Sequence, residues 1–256
     1  MDLRVLGCHG GETPTHRCPA FLVDSSLCLD AGAICRSLTI EQQAALQTVV
    51  VSHPHMDHVR DLALLADTRL QLGAPPLTIA STPGTIKVLA EHFFNNELWP
   101  DFSRIPTPSM PAIRLLNLQP EQETQLGQFK VRPFLVSHSI EAAGFVVSNG
   151  QTAIAYSGDT GPTDRMWEVL AQYPDLAALI IEVSFPNSQQ ALAHHSAHHT
   201  PQTLWADLGK LPHELQNLPI MLFHIKPVFQ AETERDIERL GAKNLTVLQL
   251  GDEFVL

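Results

Sequence analysis

The chain has 256 residues, 44% of them hydrophobic and 17% charged, with 16 Lys and Arg against 27 Asp and Glu for a formal charge of −11. These proportions furnish a globular core, and no window approaches the roughly eighteen apolar residues that a membrane span requires. The basic residues are scattered, Lys130 and Arg132 forming the tightest pair, so no stripe exists to neutralise the phosphates of an extended nucleic acid.

The start, Met1-Asp2-Leu3-Arg4-Val5-Leu6, lacks a basic region followed by an apolar one, so a cytoplasmic protein is expected. Short apolar runs at Leu3 to Leu6, Ala20 to Val23 and Leu27 to Leu29 predict a meander of strands. Residues 40 to 47 read as helical, and the β-branched run Thr48 to Ser52 predicts a strand buried on both faces. A helical pattern follows from Val59 to about Leu72, then a strand at Leu77 to Ala80 and a helix opened by Pro83 and running to about Asn95.

Five prolines between Pro100 and Pro120 predict a rigid, irregular connection at the midpoint of the fold. Strand-like runs come next at Ile113 to Leu118, Phe129 to Val136, Gly144 to Val147 and Thr152 to Tyr156. Strand and helix then alternate through Leu179 to Val183, Ile220 to Phe223 and Val247 to Leu250. Two halves, each beginning with strands and ending in βα units, predict one α/β domain over residues 1–256, a four-layer αβ/βα sandwich of two packed mixed sheets with helices outside. The four cysteines, Cys8, Cys18, Cys28 and Cys35, show no paired C-x-x-C spacing and read as buried thiols.

Thirteen histidines are unusual, and they cluster: three lie between positions 53 and 58 and four between 194 and 199. His53-Pro54-His55-Met56-Asp57-His58 puts three imidazoles and a carboxylate on one strand-to-helix turn, a donor set that suits zinc, iron or manganese. Further candidate ligands stand at strand ends: His138 after Phe134-Leu135-Val136, Asp159 after Ser157-Gly158, and His224 after Met221-Leu222-Phe223.

H-x-H-x-D-H followed by a lone His, a Gly-Asp-Thr and a final His resembles the metallo-β-lactamase fold superfamily. The resemblance implies two divalent ions, zinc first with manganese or iron as alternatives. One would be held by His53, His55 and His138, the other by Asp57, His58 and His224, with Asp159 bridging. The carboxylate at 159 points away from the antibiotic-hydrolysing members and toward phosphoesterases. Val5-Leu6-Gly7-Cys8, Leu29-Asp30-Ala31-Gly32, Trp99-Pro100-Asp101-Phe102, Ser157-Gly158-Asp159-Thr160, Ile181-Glu182-Val183-Ser184-Phe185, His198-His199-Thr200-Pro201 and His224-Ile225-Lys226-Pro227 are similar to class II cyclic-nucleotide phosphodiesterases and their bacterial relatives. Two departures are Met56, where leucine is usual, and Asp61, which replaces a small residue and bears on the helix start and the pocket rim.

The implied activity is hydrolysis of 3′,5′-cyclic nucleotides to 5′-nucleotides, with a solvent molecule between metals about 3.5 to 4 Å apart as nucleophile. Asp57, Glu182 and His198 are the implied catalytic residues, His198 as proton donor and Glu182 orienting it. Competing readings are a tRNA 3′-processing-type endonuclease and, in another class, a di-iron redox protein. His194, His195 and His199 are left as loop histidines without a chemical role. His9 stands near the end of the first strand. Trp99 and Phe102 suit either purine stacking or a packing or homodimer contact, and Lys226 either binds a phosphate oxygen or flanks His224.

Overall fold

The opening apolar runs pair as a meander in the computed structural model, which describes residues 1–256: β1 (Asp2–Gly7), β2 (Ala20–Val23) and β3 (Leu27–Leu29). Two short helices follow, α1 (Ile34–Ser37) and α2 (Ile40–Ala45), the latter opened by a capping box between Thr39 and Gln42. The β-branched run forms β4 (Thr48–Val50), buried throughout. It stops short of Ser52, whose backbone N–H is taken by the Asp30 carboxylate instead of a neighbouring strand.

The helix predicted from Val59 begins earlier, within the histidine turn, as α3 (Met56–Val59), and continues after Arg60 as α4 (Asp61–Gln71). Asp61 explains its own presence: its buried carboxylate accepts the Cys35 backbone N–H at 2.8 Å and so ties α4 to α1. Then come β5 (Leu77–Ser81) and α5 (Pro83–Val88), which Pro83 opens as predicted and a π turn at Leu89–Phe93 extends. The proline-rich connection holds a small hairpin, β6 (Pro106–Thr107) and β7 (Met110–Pro111), before β8 (Ile113–Asn117).

The second half runs β9 (Thr124–Leu126), β10 (Phe129–Leu135), β11 (Ala143–Ser148), β12 (Ala153–Tyr156), α6 (Arg165–Leu170), β13 (Leu176–Glu182), α7 (Gln190–Ser196), α8 (Pro201–Leu208), β14 (Ile220–Phe223), α9 (Gln230–Glu238), β15 (Leu245–Val247) and β16 (Glu253–Val255). The strand expected at Val247 to Leu250 is corrected to β15, which ends at Val247. Beyond it the chain crosses to the other sheet through a turn at Gly251, whose φ of 87° favours glycine, and β16 pairs with β1.

One sheet has the order β16-β1-β2-β3-β4-β5-β8 and the other β15-β14-β13-β12-β11-β10-β9. In each, antiparallel pairs give way to parallel ones, β3 through β8 in the first and β12 through β15 in the second. Leu3, Val5, Leu29, Val50, Val131, Phe145 and Ile180 interleave between the sheets. Apolar side chains of α1, α4 and α5 cover the outer face of the first sheet, and those of α6, α8 and α9 that of the second. This is the predicted αβ/βα sandwich. Phe21, Tyr156 and Phe223 stack across the sheets with ring centroids 5.2 to 5.5 Å apart. Trp99 donates its indole N–H to the Ala63 carbonyl and Phe102 is buried, so both act as packing residues here.

No helix is long and apolar enough to cross a membrane. The cysteines are all free thiols, three of them buried and Cys35 partly so. Burial pushes Cys8 up to about 12 and Cys18 up to about 11, which leaves little reactive thiolate.

Candidate metal centre and active site

The parallel strands end at one edge of the sandwich, and their carboxyl ends deliver the predicted donors: His53 after β4, Asp159 after β12, Glu182 closing β13 and His224 after β14. His138 arrives from the loop between β10 and β11. Each turn is shaped for the delivery. His224 holds a φ of 72°, and Gly158 takes a φ of 60° where a side chain would strike Ser52 at 2.8 Å. Ala197, also left-handed, ends α7 and turns the chain into His198. The capping box between Thr200 and Thr203, with Pro201 at the first helical position, then starts α8.

All seven predicted ligands meet. His53, His55 and His138 form one group and Asp57, His58 and His224 another, the donor atoms within each group lying within 4.8 Å of one another. His53 Nε2 is 2.9 Å from His55 Nδ1, which is 3.3 Å from His138 Nε2; His58 Nε2 is 3.3 Å from His224 Nε2. Asp159 stands between the groups, its Oδ2 3.7 Å from His53 Nε2, 3.3 Å from His58 Nε2 and 3.2 Å from His224 Nε2.

Hydrogen bonds on the far side of four of the five rings, those of His53, His58, His138 and His224, fix their tautomers. His58 Nδ1 lies 2.6 Å from the Asp30 carboxylate, which only accepts, so Nδ1 carries the proton and Nε2 a lone pair. Ser52 gives its hydroxyl proton to Asp30, so its oxygen receives His53 Nδ1–H at 2.9 Å. In the same way Ser184 donates to Glu182 and receives His224 Nδ1–H at 2.8 Å, while His138 Nδ1–H donates to the Ala197 carbonyl at 3.2 Å. Four inward nitrogens therefore present lone pairs to one another and to a carboxylate. Such a set suits divalent cations, and each of these four imidazoles already has the outer hydrogen bond that metal-ligating histidines use.

Burial and charge divide the imidazoles: against the penalty of burial, the Asp159 and Asp30 carboxylates hold His58 well above its ordinary value. Burial holds His53 and His224 well and clearly below the ordinary imidazole value, respectively, which favours the neutral, ligating form. Against the penalty of burial, His224 and His58 keep the Asp159 carboxyl ionised far below its usual range. The second Asp159 oxygen, Oδ1, is buried without a hydrogen-bond partner, as expected of an atom meant for a cation.

His198 and Glu182 join the centre from the side. His198 Nδ1 lies 2.6 Å from Glu182 Oε1, and its ring sits 5.0 Å from that of His138 and stacks 5.3 Å from that of His224. Burial opposes charge on His198, but the Glu182 carboxylate outweighs it and raises the imidazole above its ordinary value. Glu182 also accepts the Thr160 backbone N–H, which joins it to the turn carrying Asp159.

Sequence reasoning missed Asp30, Ser52, Tyr156 and Ser184. Asp30 is fully buried at a φ of 58° and accepts from Ser52 backbone and hydroxyl, Tyr156 Oη and His58. Its only signal was its place in Leu29-Asp30-Ala31-Gly32. We expect Asp30→Ala to lower unfolding free energy by about 3–5 kcal/mol, because it leaves buried donors unpaired. It should also weaken metal binding by about 10- to 100-fold. Denaturant unfolding and metal titration measure both; wild-type metal affinity in the variant would contradict the role. His199, read as a loop histidine without a chemical role, is fully buried in that loop, and its carbonyl accepts the Ser184 and Phe185 N–H groups. His194 and His195 lie in the last turn of α7 and are exposed. His9 is buried, its Nδ1 near Cys8 Sγ and its ring against His16.

Residues 21–225 match the family described as a beta-lactamase superfamily domain, and the chain belongs to it. A probable 3′,5′-cyclic-nucleotide phosphodiesterase of Yersinia pestis is 30% identical over 244 residues, which cover 83% of this chain and 66% of that protein. The chain thus spans just under two thirds of that relative's length. Among solved structures, unliganded yeast PDE1 superposes with a TM-score of 0.85 at 18% identity, covering 100% of this chain and 99% of that one. The metallo-beta-lactamase fold protein YhfI from Bacillus subtilis gives 0.77 at 17% identity over 99% of each chain.

Proposed function

We propose that this chain is a metal-dependent phosphodiesterase that hydrolyses 3′,5′-cyclic nucleotides to 5′-nucleotides. The observation that carries the reading is the position of His198, its ring between His138 and His224 and its Nδ1 on Glu182, beside both groups of ligands. The similarity to a probable cyclic-nucleotide phosphodiesterase supports the same chemistry.

His53, His55 and His138 would hold one divalent cation, Asp57, His58 and His224 a second, and Asp159 would touch both; zinc suits this nitrogen-rich set first, with manganese or iron as alternatives. Such ions, when bound, acidify a solvent molecule to supply the nucleophile and draw charge from the phosphate oxygens. Ser52, Ser184 and Asp30 keep the ligating rings in the required tautomers. Glu182 holds the His198 imidazole so that Nε2–H faces the departing 3′ oxygen. As the P–O3′ bond breaks, that proton passes to the ribose oxygen and the phosphate remains on the 5′ carbon.

The reading includes one domain over residues 1–256, a cytoplasmic place of action and a homodimer, for which the exposed Leu98 and Met110 offer apolar surface. It does not extend to long nucleic acids. With a formal charge of −11, the chain also engages basic residues internally: Arg36 and Arg60 pair with Glu12, Arg165 with Glu121 and Lys210 with Asp207.

Metal-loaded protein assayed on 3′,5′-cyclic, 2′,3′-cyclic and linear dinucleotide substrates, with a tRNA precursor alongside, tests the assignment. We expect turnover of the 3′,5′-cyclic substrate with mild salt dependence. A polyanion engaging six or more phosphates would instead lose about 10³- to 10⁵-fold in affinity between about 50 and 200 mM salt. Efficient, salt-sensitive cleavage of the tRNA precursor, without cyclic-nucleotide turnover, would overturn it.

A further inference from the structure

Lys226 is the cation near the centre that the protein leaves uncommitted. It lies two residues beyond His224, is half-buried, and its ammonium makes neither an ion pair nor a hydrogen bond, whereas Arg36 and Arg60 are both tied to Glu12. Its backbone is anchored beside the proton-transfer pair: the Lys226 N–H donates at 3.1 Å to the carbonyl of Ser184, the residue that links Glu182 to His224.

The side chain follows a track that glycine keeps open. Gly10 donates its N–H to the Ile225 carbonyl at 3.1 Å, which lays the Gly10-Gly11 backbone along this segment. A Cβ on Gly10 would meet the His224 carbonyl at 2.4 Å, and both His224 Nδ1 and Lys226 Cδ at 2.9 Å. The aliphatic stem of Lys226 therefore passes over Gly10 alongside the His224 ring. A half-buried lysine whose ammonium has no carboxylate partner, its stem laid beside His224, is placed to take an anion.

We infer that the Lys226 ammonium binds a non-bridging oxygen of the substrate's phosphate, and retains the phosphate of the product until release. The inference rests on the phosphodiesterase reading for the identity of the substrate, but the anion site is testable without it.

The test compares metal-loaded wild type, Lys226→Met and Lys226→Arg, using inorganic phosphate binding by calorimetry and steady-state kinetics on a cyclic nucleotide. Loss of one charge-assisted hydrogen bond should weaken phosphate binding roughly ten- to a hundredfold in Lys226→Met. Lys226→Arg should stay within a few fold of wild type, with metal content unchanged in both. Equal phosphate affinity in wild type and Lys226→Met would overturn the inference. A second measurement needs no variant: saturating phosphate should protect Lys226 from amine acetylation, read by peptide mass spectrometry of the metal-loaded wild type. Unprotected acetylation would also overturn it. If wild type turns over no cyclic nucleotide while phosphate binding still depends on Lys226, the substrate assignment falls and the anion site stands. Turnover with Lys226-independent phosphate binding gives the reverse.

Discussion

Asp159→Ala is expected to lower kcat on a 3′,5′-cyclic nucleotide by about 10³-fold or more, since the loss of metal-assisted stabilisation is worth several kcal/mol. The carboxylate is placed for this effect. Oδ2 lies 3.2 to 3.7 Å from three candidate ligand imidazoles belonging to both groups, and Oδ1 has no hydrogen bond to lose. Removing it leaves His58 and His224, 3.3 Å apart, sharing only the Asp57 carboxylate, which lies 3.9 and 3.4 Å from their Nε2 atoms, and takes away the carboxylate that faces His53. Elemental analysis should give about two equivalents of metal per wild-type chain, and chelator should abolish activity reversibly. The alanine variant should hold less than two. Unchanged turnover in Asp159→Ala, or fewer than about one equivalent in active wild type, would rule out a binuclear centre bridged by this residue.

The second large effect falls on His198. A ribose alkoxide is a poor leaving group, and general acid catalysis is worth about 10²- to 10⁴-fold when the leaving group is basic and much less when it departs unaided. His198→Ala should therefore reduce kcat strongly on a cyclic nucleotide while largely sparing a nitrophenyl phosphodiester, at unchanged metal content. Glu182→Gln, which keeps the shape but loses the charge that raises the His198 imidazole, should give a smaller loss with the same substrate dependence. Equal losses on both substrates would assign His198 to stabilising the transition-state phosphate and remove the proton-donor role.

Local pattern made much of this architecture legible. The turn His53 to His58 concentrates its donors within six residues, and buried β-branched or aliphatic runs announce β4, β13 and β14, so the ligands at their ends could be located along the chain. The weak edges could not. β9 and β16 are three-residue strands without sustained alternation, and β16 exists because the end of the chain reaches back to β1 in the opposite sheet.

The outer hydrogen bonds were also hidden, for a related reason. Asp30 meets Tyr156 Oη only because the Phe21, Tyr156 and Phe223 rings bring two sheets together, over a sequence separation of 126 residues. Ser184 becomes a relay because β13 and β14 lie side by side, letting one hydroxyl serve Glu182 and His224 at once. A serine or a lone aspartate in a sequence carries no sign of such partners. The burial of His199 was hidden on the same ground, as it follows from the packing of α8 beneath the loop and its neighbours in sequence are polar.

Product analysis of a 3′,5′-cyclic nucleotide treated with metal-loaded protein in ¹⁸O-water, followed by phosphorus NMR, tests the central claim most directly. The site predicts a 5′-nucleotide as product with one ¹⁸O in its phosphate, because solvent attacks phosphorus and His198 protonates the departing 3′ oxygen. A 3′-nucleotide, or an unchanged cyclic substrate in the presence of bound metal, would contradict it.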